Sequence, residues 1–258
     1  MISTYASYRM ISSDMTRSID RVQSQPMVQR ETAYYLEHIA DVKSIDDFMA
    51  DDRLFRYAMK AHGLQDMDYA KAFMRKALEG GIAANDSFAN SLTDTRYREF
   101  VKTFNFAAFG ETATAFTRTQ QGTVDKYLRQ TLEENAGADN EGVRLALYFE
   151  RKASGIDSYY DILADPALAQ VVRTALGLPQ AIATADIDKQ VDLMKARFDI
   201  EDFQDPEKLS DFIERFTSLW EIDNPSSTVQ TSIAALFGQP VEFGISTDVL
   251  LTIARMKG

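Results

Sequence analysis

Two histidines, His38 and His62, are the residues best suited by type to move protons or bind metal near neutral pH. They do not fall within one helical turn of each other, so they form no local metal pair. His62 precedes Gly63 and reads as a residue that complements the carbonyls of a helix end. His38 takes the place of Lys152 under the repeat described below, which implies an exposed position. The chain has no cysteine, which excludes disulfides, thiolate metal sites and cysteine nucleophiles. Phosphate-loop, dinucleotide and nucleophile-elbow spacings are absent. The acidic groups Asp46-Asp47, Asp51-Asp52 and Asp199-Glu201-Asp202-Asp205 lack the central glycine and terminal glutamate of a calcium loop. With 39 acids in the chain, some carboxylates meet by chance, so a carboxylate pair carries no weight as a catalytic signal. No catalytic residue, metal ligand, cofactor-binding residue or cofactor is assigned.

One segment is a candidate for recognition rather than chemistry. Tyr8, Ile11, Met15, Ile19 and Val22 recur at helical spacing up to Gln25-Pro26. This stripe reads either as a helix lying on its own core or as a partner-binding helix that fills a groove on another protein. The aromatic groups Tyr34-Tyr35, Phe104-Phe106-Phe109 and Tyr159-Tyr160 read as core.

The elements that position these residues are helices. Across 258 residues, 45 % of the chain is hydrophobic and 26 % charged, with 12 glycines and 6 prolines. That balance favours a globular, helix-rich chain over disorder or sheet. A formal net charge of −11 opposes nucleic-acid binding, which draws its affinity from cations on phosphates. No apolar run is long enough for a spanning helix, and the N-terminus lacks the apolar region of a secretory signal. These features predict no membrane insertion and a cytoplasmic protein, with signal-less export as the alternative.

The strongest pattern is internal. The segment from Arg30 aligns without a gap on the segment from Arg144, an offset of 114 residues. Tyr34 matches Tyr148, Ala50-Asp51 matches Ala164-Asp165, Leu54 matches Leu168 and Gly63-Leu64 matches Gly177-Leu178. The stripe Leu54, Tyr57, Ala58, Ala61 becomes Leu168, Val171, Val172, Ala175. Asp51 and Asp165 stand where helix N-caps belong, and Gly63 and Gly177 where left-handed C-caps belong. Downstream, Asp68 with Tyr69, Phe73, Met74 and Ala77 up to Gly80-Gly81 parallels Asp186 to Phe198, with Ile187, Val191 and Met194 inward. Tyr97, Phe100, Val101 and Phe104 parallel Leu209, Phe212, Ile213 and Phe216 at an offset of 112. Val124, Tyr127, Leu128 and Thr131 predict a further helix, followed by a linker at Gly137-Ala138-Asp139-Asn140. Toward the end, Ser226 to Phe237 predicts a short helix stopped by Gly238. A loop over 238–245 then leads to a closing helix with Val249, Leu250 and Ile253 inward. The expectation is an all-α, multihelical fold made of two diverged copies of one unit packed together. A helical segment over 1–25 precedes unit one, over 26–138, and unit two, over 139–258.

The stretches SIDDFMADDRLFRYAMKAHGLQDMDYAKAFMRKALEGG and SFANSLTDTRYREFVKTFNFAAFG resemble an alphaproteobacterial domain-of-unknown-function family. QPMVQRETAYYLEHI and STDVLLTIARMKG extend that resemblance over nearly the whole chain. The resemblance implies a multihelical fold with internal duplication, often encoded among flagellar genes, and brings no catalytic residues. It points to a non-enzymatic, flagellum-associated accessory or structural protein with a protein partner among flagellar components. The alternatives are an enzyme with an unannounced carboxylate site, and a small-molecule or peptide binder in the groove between the repeats.

Overall fold

Serine, aspartate and asparagine caps cut this chain into helices, each cap side chain accepting backbone N–H groups left over in a first turn. The computed structural model describes residues 2–225, and among these there is no strand. The helices predicted at Ser226 to Phe237 and around Val249, Leu250 and Ile253 lie outside the described residues.

The first helices are α1 (Thr4–Ser12), α2 (Met15–Gln23), α3 (Pro26–Ile39), α4 (Ile45–Ala50) and α5 (Asp52–Ala61). They are followed by α6 (Lys71–Gly80), α7 (Phe88–Ser91), α8 (Thr95–Thr103), α9 (Phe106–Phe109) and α10 (Gln121–Asp139). Then come α11 (Glu141–Ala153), α12 (Tyr159–Ala164), α13 (Pro166–Ala175), α14 (Ile187–Lys195) and α15 (Pro206–Asp223).

The boundaries of α4 and α5 recur in α12 and α13 at the offset of 114. Ser44 and Ser158 cap the first helix of each pair. Asp51 accepts from the N–H groups of Arg53 and Leu54, and Asp165 from those of Ala167 and Leu168. Each aspartate also takes a phenolic hydrogen bond, from Tyr34 at 2.7 Å and from Tyr148 at 2.5 Å. Gly63 and Gly177 both adopt positive φ, 68° and 62°, where a side chain would be strained.

Two hydrophobic cores form. One gathers Tyr35, Phe48, Leu54, Phe55, Met74, Phe100 and Phe104, and the other Leu147, Phe149, Leu168, Val172, Met194, Ile213 and Phe216. Between them, α10 and α11 pack against each other, α10 also against α5 and α2, and α11 against α15, α13 and α1. The chain reverses at Asn140 between them, making the pair a hairpin, and hydrogen bonds from Arg129 to the Leu147 carbonyl and from Arg151 to Glu133 tie its two helices together.

Several expectations need correction. The N-terminal stripe is two helices, because Asp14 accepts from the Arg17 N–H and starts α2 afresh. The stretch Gly137-Ala138-Asp139 is not a linker but the last turn of α10, and the chain reverses at Asn140 alone, the N-cap of α11. Gly137 serves close packing: a Cβ there would lie 2.8 Å from Cδ of Arg144. Tyr69 and Ile187, expected inward, are 78 % and 58 % exposed, since α6 begins only at Lys71 and Ile187 is the first residue of α14. Phe109 and Tyr160 are also exposed rather than core, and the Tyr160 hydroxyl bonds Asp188.

Candidate functional site

At the seam between the two cores lies a cleft of ≈ 390 Å³, within the size range of small-molecule sites. The end of α5 supplies His62 and Gly63, and the start of α8 supplies Asp94, Thr95, Arg96 and Glu99. From α10 come Lys126 and Gln130, four residues apart and so on one face. From α11 come Arg144, Tyr148, Arg151 and Lys152, again on one helical face. The turn from α12 into α13 closes the wall with Asp165, Pro166 and Ala167. Both halves of the chain therefore contribute.

Most of the charges in the cleft are committed. The Arg96 guanidinium forks onto Asp94 at 2.7 Å, and its other arm donates to the Gly63 carbonyl. Burial alone would raise the Asp94 pKa, but hydrogen bonds from the Arg96 side chain and backbone N–H hold it below the usual carboxylate range. Arg151 pairs with Glu133 at 2.7 Å and Arg144 with Glu141. Burial, together with the Asp165 carboxylate that the hydroxyl bonds, pushes the Tyr148 pKa up.

Two cations are different. Among the described residues, neither Lys126 nor Lys152 has a carboxylate partner within salt-bridge distance. The Lys126 ammonium donates to Nε2 of His62 at 3.0 Å and to Thr103 at 3.3 Å. Since Nδ1 of His62 lies 3.0 Å from the Ala58 carbonyl, which only accepts, the ring is the neutral tautomer with Nε2 free to accept from Lys126. Burial, and then the Lys126 charge, bring the His62 pKa down to about 3. Burial lowers both lysines as well, and for Lys152 the neighbouring Arg151 adds to it.

The residues singled out from the sequence lie elsewhere or in other roles. Tyr8 is buried in the second core and Val22 in the first, with Ile11 and Met15 packed on both and Ile19 on the first. The stripe thus lies on the chain's own interior, strapping the two halves together. His38 stacks on Tyr34 at 4.0 Å, outside the cleft. His62 does bond a carbonyl of its helix end, as expected, but as a neutral ring facing a lysine. His38, expected at an exposed position from its match to Lys152, is half-buried, as is Lys152, which lines the cleft. Of the acidic groups, Asp51, Asp199 and Asp205 cap helices, Asp52 pairs with Lys71 and Asp202 with Lys208. No cluster of three or more metal-ligating side chains occurs among the described residues, and no helix there is long and apolar enough to cross a membrane. Every carboxylate with a resolved pKa shift, Asp47, Asp52, Asp94 and Asp202, is shifted down, opposite to what a general acid needs.

No curated protein matches this chain. A crystal structure of protein AGR_C_984 from Agrobacterium tumefaciens is similar at 56 % sequence identity and a TM-score of 0.81. The match covers 86 % of this chain and 94 % of that one. The family model for proteins of unknown function DUF1217 matches residues 61–209, a span that contains most of the cleft. The chain belongs to the DUF1217 family.

Proposed function

We propose that this protein acts by binding: a non-enzymatic accessory protein whose recognition site is the cleft at the α10–α11 seam. The observation that carries the reading is the pair of lysines without carboxylates, Lys126 and Lys152, facing one cavity in a chain of net charge −11. A protein rich in acids has every means to pair two cations internally, yet Glu99 and Asp165, which share the cleft, stay beyond ion-pair distance of both. We read the scaffold as two diverged copies, 26–138 and 139–258, packed at that seam. The support is the recurrence of helix bounds, caps, tyrosine bonds and glycine conformations at one offset.

The resemblance to a family often encoded among flagellar genes suggests motility as the setting. On that reading the protein works beside flagellar components, in the cytoplasm or exported without a signal peptide. The test is a clean deletion strain in soft agar. The expected result is a swimming ring that shrinks and is restored by the wild-type gene. A ring of normal diameter would remove the flagellar setting. Copurification from the same cells tests the binding reading directly: the tagged wild-type chain should retain a partner that the Lys126→Met/Lys152→Met variant loses.

A further inference from the structure

We infer that the seam cleft binds a small oxyanion, a phosphate or carboxylate group of a low-molecular-weight ligand, between Lys126 and Lys152. The inference rests on the reading of the cleft as a binding site and adds the ligand's chemistry. It starts from the hairpin. Asn140 alone separates α10 from α11, and this hairpin brings Lys126 and Lys152 to the lining of one cleft, near enough for the Lys152 charge to act on Lys126. The Lys152 charge adds to the cost of the Lys126 ammonium, both lysines are partly withdrawn from water, and the cleft carboxylates Glu99 and Asp165 lie beyond ion-pair distance of either. The three arginines of the cleft are each held by a carboxylate, so they act as walls, not as free donors. The Lys152 ammonium makes no hydrogen bond among the described residues and lies 5.9 Å from the Tyr148 ring. Lys126 uses two of its three N–H donors on His62 and Thr103, leaving one for the cleft. Neutral His62 accepts from Lys126 and so fixes the direction of that remaining donor. Lysine ammoniums bind phosphate or carboxylate as point charges, and an oxyanion between these two relieves their mutual repulsion. The cleft volume leaves room for a small organic body behind the charged group.

The test is thermal unfolding of the full chain in inorganic phosphate, in citrate and in chloride, at fixed ionic strength and pH 7.5. Phosphate or citrate should raise the Tm, by about 3–5 °C for each tenfold excess over the dissociation constant, and chloride should not. A shift with phosphate alone identifies a phosphoryl ligand, one with citrate alone a carboxylate, and either supports the inference. The shift should vanish in Lys152→Met and persist in Lys208→Met, which removes a remote surface lysine. If Lys126→Met fails to fold because its two internal bonds are lost, Lys152→Met still decides. Equal shifts in wild type and Lys152→Met, or shifts no larger than in chloride, would overturn the inference. Flat titrations together with an intact, lysine-dependent copurification would overturn the small-oxyanion assignment and leave the binding reading standing.

Discussion

Glu133 offers the sharpest test of how the two halves are joined. Its side chain is 2 % exposed, yet it pairs with Arg129 of its own helix at 3.0 Å and with Arg151 across the α10–α11 hairpin at 2.7 Å. Glu133→Gln keeps the shape but removes the negative charge, leaving two guanidiniums facing a neutral amide. Removing one partner of a buried ion pair costs roughly 3–5 kcal/mol. Here the cost is lower, because Arg129 keeps the Leu147 carbonyl at 2.9 Å and Arg151 is 31 % exposed to water. A loss of about 2–3 kcal/mol is expected, compared with about 0–1 kcal/mol for Glu141→Gln at the more exposed Arg144 pair. The assay is urea unfolding followed by far-UV circular dichroism and by fluorescence of Trp220, the one tryptophan. At a slope of about 2 kcal/mol per molar, the midpoint should fall by about 1 M. A Glu133→Gln midpoint indistinguishable from that of Glu141→Gln would refute the claim that this buried carboxylate ties the halves together.

Other substitutions probe separate links. In Gly142→Ala the new Cβ would lie 2.3 Å from Cδ1 of Trp220 and 2.9 Å from Cγ2 of Thr4, so about 1–3 kcal/mol should be lost with a shift in Trp220 emission. Unchanged emission and stability would show that α1, α11 and α15 are not packed as described. Asp165→Ala removes both cap bonds of α13 and the acceptor of Tyr148, and calorimetry should show a loss of about 1–2 kcal/mol. His62 gives a pH signature. Its pKa is near 6.5 in the unfolded chain and about 3 when folded, so between those values the unfolded state binds more protons. Stability therefore falls as pH drops through that window, and His62 contributes nothing to the pH dependence above it. Urea midpoints at pH 7 and pH 4.5 should differ less in His62→Gln than in wild type, and an equal difference would contradict the neutral ring.

Local signals were legible because their physics is local. Asp51 and Asp165 lie two and three residues before the N–H groups they accept from, so their role as caps could be read without any knowledge of distant contacts. The stripes Leu54 to Ala61 and Leu168 to Ala175 bury as their spacing required. The misreadings occurred where neighbours far along the chain decide. Gly137 looked like a turn residue, but its missing side chain makes room for Arg144. Tyr69 continued an apolar pattern by type, while the helix that would have turned it inward starts two residues later. Asp14 interrupts a stripe whose apolar spacing continues across the break, because Ile11 on α1 and Met15 on α2 both reach the two cores, which lie far along the chain from them.

Residue order was enough to read a helical chain, the positions of its principal caps and stripes, and the recurrence of one pattern at one offset. It took the packing to show that Glu133 is buried between two arginines, that Lys126 and Lys152 line one cleft and that His62 accepts from Lys126. The reason is that a cap or a stripe is satisfied within a few residues. The pairing or isolation of a charge depends on which helices, distant in the chain, the packing brings against it.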